Sequence, residues 1–151
     1  MTIDREKLLD LIDATQLVPC EGRGPIGWVY FIVCADTRRC KIGFTKAHPE
    51  KRLANLQTGS PGELVLCVMH PGTPDTERQL HERFASSRIR GEWFELTDEL
   101  RAYMTVALWA MSEISLRQRG TLDGWMTAGL SITLEHLESM PESLIEALGV
   151  D

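Results

Sequence analysis

Residues Gly27–Thr45 read GWVYFIVCADTRRCKIGFT, and this stretch decides the fold. Trp28–Val33 is a continuous apolar run, rich in aromatic and β-branched residues, as a central strand requires. Asp36-Thr37-Arg38-Arg39 is a turn, and Cys40–Thr45 returns as a second strand. Strand alternation puts Trp28, Tyr30 and Ile32 on one face of the first strand. On the second, Cys40, Ile42 and Phe44 share one face and Lys41, Gly43 and Thr45 the other. A glycine inside a strand weakens it unless another group must approach the backbone closely, and that singles out Gly43.

Working outward, His48-Pro49-Glu50 opens a helix with proline suited to its first turn. Arg52, Leu53 and Leu56 fall on one side of it, and Gln57–Gly62 breaks it. Leu64–Met69 is a third strand. A helix from about Thr73-Pro74-Asp75 to Ser87 carries Leu80 and Phe84 as its apolar ridge, with Glu77, His81 and Arg88 on or beside it. Gly91 ends that excursion, and Trp93–Leu96 is a short strand or docking segment. Thr97 caps a long helix with Asp98 and Glu99 in its first turn, stopped by Gly120. Residues 121–151 read as two or three short helices, the last with a capping box at Ser139–Glu142. Upstream, residues 4–17 form an amphipathic helix capped by Asp4, and the glycine- and proline-rich 18–27 is a linker. The expectation is an α/β (α+β) fold: a small three-stranded, mainly antiparallel sheet flanked by helices, with an N-terminal helix and a C-terminal helical extension. The domain boundaries are 1–26, 27–96 for the core, and 97–151 for the extension.

The 151 residues carry a net charge of −6, unevenly spread. Residues 27–92 hold ten Lys/Arg against seven Asp/Glu, whereas 93–151 hold three against ten. The middle is mildly basic and the tail strongly acidic, so the local field matters more than the total. No apolar run reaches the roughly 18–20 residues of a membrane span, and the N-terminus has no signal-peptide layout, which points to a cytoplasmic protein without membrane partners. The four cysteines (Cys20, Cys34, Cys40, Cys67) form no C-x-x-C pair and read as buried free thiols.

Taken singly, Tyr30, Lys41, Arg52, Glu77 and His81 have ordinary explanations. Together they place Arg52 and Glu77 toward apolar faces, where a charge needs a reason to be. The set suits phosphodiester hydrolysis. A carboxylate can hold Mg²⁺ through one ligand and leave the remaining positions to water and phosphate oxygens. A guanidinium is planar, forked and always charged, which suits a phosphate. Tyrosine, with an ordinary pKa of about 10, is a poor base unless a cation lowers it, and this pairs Tyr30 with Lys41.

The stretch resembles the GIY-YIG nucleases, with Val29-Tyr30 for the first motif and Lys41-Ile42-Gly43, ten residues on, for the second. It is similar in particular to their compact phage and bacterial branch through KIG, RLANLQTGSP, ERQLHERF and GEWF. Trp28 replaces a glycine of that pattern and Lys41 a tyrosine. The resemblance covers about residues 27–96 and implies a metal-dependent endonuclease using Mg²⁺ or Mn²⁺, with DNA ahead of RNA as partner and a 5′-phosphate product. It implies Tyr30 and Lys41 as water-activating residues, with the base either Tyr30 assisted by Lys41 or Lys41 itself. Arg52 falls on the phosphate-binding position and Glu77 on the metal ligand, with His81 as an additional site residue. Gln57, Thr58 and Ser60 are candidate contacts to substrate. The alternative is a nucleic-acid-binding or sensing module that keeps the fold and does not cut. Residues 97–151 are expected to pack on the core or to mediate a homodimer or a protein contact.

Overall fold

The computed structural model describes residues 6–7, 10–11, 14–34 and 36–117. Five strands, β1 (Gly27–Cys34), β2 (Arg39–Thr45), β3 (Leu64–Gly72), β4 (Arg88–Arg90) and β5 (Trp93–Glu95), form one sheet in the order β3-β1-β2-β5-β4. Every neighbouring pair is antiparallel. Three helices accompany it: α1 (Pro49–Thr58), α2 (Pro74–Arg83) and α3 (Asp98–Arg117).

The expected three-stranded sheet is therefore corrected to five strands. The additional pair is the β4–β5 hairpin, which extends the sheet beyond β2. A three-residue strand reading Arg-Ile-Arg is too short for its alternation to announce it, and only pairing against β5 makes it a strand. The helix expected to reach Ser87 ends at Arg83 and passes through a single 3-10 turn, Ala85–Ser87, into β4. β3 runs on to Gly72 with Pro71 inside it, which an edge strand tolerates because one side of its ladder is unpaired.

β1 lies at the centre of its half of the sheet, between β3 and β2, and is buried from Val29 to Cys34. Its alternation divides two layers. Val29, Phe31 and Val33 join Cys40, Ile42, Phe94, Leu80, Phe84, Leu100, Tyr103 and Met104 in the main core, under α2 and α3. Tyr30, Ile32 and Cys34 face the other way, with Leu64 and the α1 residues Leu53 and Leu56 packed against them. Each large apolar side chain so buried contributes about 2 kcal/mol.

The helices begin where their caps dictate. The His48 ring accepts from the Glu50 N–H at 3.3 Å ahead of Pro49. Thr73 and Thr76 form a reciprocal capping box at α2. Thr97 Oγ1 accepts the Leu100 N–H at 3.2 Å at α3. α3 is tied to the sheet through a buried polar chain. The Val18 N–H donates to the Tyr103 hydroxyl at 3.2 Å, that hydroxyl meets His70 Nε2 at 3.0 Å, and His70 Nδ1 lies 2.9 Å from the Pro71 carbonyl. Burial lowers the His70 pKa to about 4, so the ring is neutral, with Nδ1–H donating to Pro71 and Nε2 accepting from Tyr103.

The 18–27 segment is stitched to α2 rather than hanging free. Thr76 Oγ1 donates to Pro19 O, Thr73 Oγ1 to Glu21 O, and Asp75 accepts the Arg23 N–H. Gly22 and Gly24 take left-handed φ values of 97° and 99° to make these turns. Residues 6, 7, 10 and 11 are helical. The expected cap at Asp4 and the short helices of 121–151 lie outside the described residues.

Candidate functional site

Two geometric features assemble the site. The first is the cross-strand pair Tyr30↔Gly43. A Cβ at Gly43 would land on the Tyr30 ring and hydroxyl, so the glycine of the Lys-Ile-Gly triplet is the space that Tyr30 fills. The second is an open edge. β5 pairs with β2 only over Arg39–Lys41, and from Ile42 onward α2 takes its place. The Ile42 N–H donates to Glu92 O at 3.0 Å, and His81 Nε2–H donates to Ile42 O at 2.8 Å. The His81 ring also packs 5.2 Å from that of Phe94. His81 thus satisfies backbone that a longer β5 would have paired, and in doing so it brings Glu77, one turn earlier, to the sheet.

Glu77 arrives beside a residue the sequence reading did not single out. Glu92, just before β5, forms an ion pair with Lys41, with Nζ 2.9 Å from Oε2. The charge of Glu92 also acts on Glu77. Burial first, then the Glu92 charge, push the Glu77 pKa up to about 7, against the pull of Lys41. The His81 Nε2–Glu77 Oε1 separation is 3.6 Å, longer than the bond His81 makes to Ile42. Lys41 lies 5.8 Å from the centre of the Trp93 ring, which contributes a cation–π attraction. The sequence signal for Glu92 was its place in GEWF, immediately ahead of an aromatic strand.

Tyr30 is 2% exposed, and burial, reinforced by the charge of Glu92, raises its pKa to about 12; Arg52 is the cation that opposes the rise. The cation acting on Tyr30 is therefore Arg52, while Lys41 is engaged by Glu92. Arg52 itself is exposed on α1 and makes no ion pair among the described residues. Tyr30, Lys41, Glu77 and His81 are thus brought together, with Glu92 paired to Lys41 and the charge of Arg52 acting on Tyr30.

Gln57, Thr58 and Ser60 sit at the other end of α1; the Gln57 and Ser60 side chains serve the turn into β3, and Thr58 bonds back onto its own helix. Gln57 donates to Gly62 O at 2.9 Å and accepts the Leu64 N–H at 2.8 Å; Ser60 Oγ donates to Gly62 O at 3.0 Å; Thr58 Oγ1 donates to Asn55 O at 2.6 Å.

A family match spans residues 27–110, from the first residue of β1 through most of α3, and the family is the T5orf172 domain. The chain belongs to the T5orf172 domain family. This is a different domain family from the GIY-YIG nucleases and replaces that resemblance. The four quoted motifs all lie inside the matched span. They are local solutions to a hairpin, two helices and a strand, and short motifs of that kind do not by themselves fix a family. No curated protein and no solved structure matches the chain. Membership in the T5orf172 family points to a nucleic-acid-related function and to nucleic acid as the partner class. No helix among the described residues is long and apolar enough to cross a membrane.

The donor set bears on the divalent cation expected from the sequence. Among the described residues no three His, Cys, Asp or Glu side chains are grouped to hold a metal ion. Mg²⁺ and Mn²⁺ do not require three, since they are commonly held by one or two carboxylates with water and phosphate completing the shell. Glu77 and Glu92, which both act on Lys41, are oxygen donors of that kind, so the residues present fit such an ion.

Proposed function

We propose that this T5orf172 domain is a metal-dependent endonuclease that hydrolyses phosphodiester bonds in nucleic acid, DNA ahead of RNA. The observation that carries the reading is the Lys41–Glu92 ion pair beside the half-buried Glu77 carboxylate, together with an Arg52 guanidinium that acts on Tyr30 and makes no ion pair among the described residues. Glu77, with Glu92 beside it, would hold Mg²⁺ or Mn²⁺; such an ion supplies electrostatic stabilisation of the charge that develops on phosphate oxygens. Arg52 is free to take the scissile phosphate through a charge-assisted, forked contact. Lys41, steadied by Glu92 and the Trp93 ring, contributes a second positive charge on the same side. The Tyr30 hydroxyl is fixed over Gly43 and orients the attacking water. His81 keeps α2 in register with β2, so that Glu77 stays in place.

The test is cleavage of plasmid, single-stranded DNA and RNA with Mg²⁺ or Mn²⁺, beside Glu77→Ala and Arg52→Ala. Cleavage by the wild type and its loss in both variants is expected; equal activity in all three refutes the assignment. One observation favours the second reading, a module that binds without cutting: Tyr30 is pushed up to about 12 and Lys41 is held in an ion pair, so neither stands ready as a base. Metal-independent binding with no cleavage by the wild type selects that reading.

A further inference from the structure

The two faces of the sheet are covered unequally. On the Tyr30 side, α1 packs over β1 and β3 through Leu53 and Leu56. The other half of that face, formed by β2, β5 and β4, carries Arg39, Lys41, Trp93, Glu95 and Arg90. Their common side follows from register, because directly paired residues project to the same face: Arg39↔Glu95, Lys41↔Trp93 and Arg90↔Trp93. Arg39, Glu95 and Arg90 are exposed, and Trp93 and Lys41 are half-buried. Lys41 is already matched by Glu92. Arg39 and Arg90, like Arg52, make no ion pair among the described residues.

This surface is continuous with the site through Lys41 and its cation–π contact to Trp93. It offers what a polynucleotide strand requires: unpaired guanidiniums for phosphates and a partly exposed indole for a base. Two or three arginines on a chain of net charge −6 make only a weak purely electrostatic grip, because phosphate affinity scales with the number of phosphates neutralised. Stacking on Trp93 must therefore supply a share of the binding, and a base face is available to stack only where the strand is unpaired.

We propose that the β2–β5–β4 face is the floor on which a single strand of nucleic acid lies, with Trp93 stacking a base and Arg39 and Arg90 holding the flanking phosphates. This rests on reading the neighbouring cluster as a site for nucleic acid. It goes beyond that reading in naming an unpaired strand as the ligand and the β4–β5 hairpin as part of its seat.

The test is fluorescence anisotropy with a labelled 20-nucleotide DNA strand, the matching RNA strand and the DNA duplex, using the full chain in a chelator-containing buffer across a salt series. The two single strands are expected to bind more tightly than the duplex. Arg39→Gln/Arg90→Gln is expected to weaken single-strand binding about tenfold at low salt and to lower the salt slope by about 1.4, the value for two phosphate contacts on a single strand. Trp93→Leu is expected to lose about 5- to 100-fold on single strands and to leave duplex binding unchanged, with Trp93→Phe close to wild type. Arg88→Gln is the control: it removes the same charge from the same hairpin, but Arg88 pairs with Phe94 and lies over that ring on the opposite face, so affinity is expected to hold. An equal loss in Arg88→Gln, equal wild-type affinity for strand and duplex, or unchanged binding in Trp93→Leu and the double variant overturns the proposal. In that last case a wild type that still cleaves leaves the nuclease reading standing. A wild type that neither binds nor cleaves any of the three sinks both.

Discussion

Replacing Glu77 with glutamine is expected to make the protein more stable, and more so as the pH rises. The Glu77 carboxyl ordinarily titrates at 4.5, and in the folded chain at about 7. Because the folded value is the higher, the folded protein retains a proton that the unfolded chain has released between those two pH values. Stability is present below about pH 4.5 and is lost as the pH climbs to about 7. At roughly 1.4 kcal/mol per unit, the displacement corresponds to a ceiling of about 3 kcal/mol at pH 8 and under about 1 kcal/mol at pH 5. Solvent screening in a half-buried cleft cuts the pH 8 figure to about 1.5 kcal/mol. Glutamine has the shape of the protonated acid and carries no charge to bury. For a chain of this size, thermal denaturation should show Glu77→Gln melting about 4 °C above wild type at pH 8, with the gap shrinking to about a degree at pH 5. Adding Mg²⁺ should raise the wild-type melting temperature and leave the variant unmoved. A variant less stable than wild type at pH 8, or a gap independent of pH, refutes the account of a Glu77 carboxyl held protonated by burial and the Glu92 charge.

Two further outcomes follow from the packing. Gly43→Ala drives a methyl into the Tyr30 ring and should cost about 2 kcal/mol in denaturant unfolding; Gly43→Ala/Tyr30→Leu should recover part of that loss, and a strictly additive cycle would refute the contact. Tyr103→Phe removes the hydroxyl that the Val18 N–H and His70 Nε2 both meet and should cost about 1–3 kcal/mol, whereas a neutral result would show that the hydroxyl does not tie residue 18 to α3.

Arg52 and Glu77 were legible in the chain because each is a charged residue on a helix's apolar side, Tyr30 as a polar hydroxyl in a central strand, and Lys41 through the Lys-Ile-Gly triplet. Gly43 was legible for the converse reason, as an absent side chain inside a strand. Gln57, Thr58 and Ser60 looked equally available, yet Gln57 and Ser60 close the turn into β3 and Thr58 bonds back onto its own helix. A polar loop residue carries no local sign of whether its partner is backbone or ligand. Glu92 and Trp93 were visible as a motif but not as members of the site. Their placement depends on β5 pairing with β2, and the residues concerned are far apart in the chain. The acidic extension divides in the same way: α3 was legible from its cap and period, but its first three turns lie in the main core.

The sequence by itself determined the hairpin, the two faces of β1, the caps of α1, α2 and α3, and the identity of most of the charged residues that converge. These follow from interactions within a few residues, where alternation, proline, threonine and glycine act through the local backbone. Only the tertiary structure decided that the sheet has five strands, that α2 closes the open edge of β2 through His81, and that Lys41 pairs with Glu92 while Arg52 acts on Tyr30. Those outcomes depend on strand order and on which charges are forced together out of water, and neither is encoded in any single window of the chain.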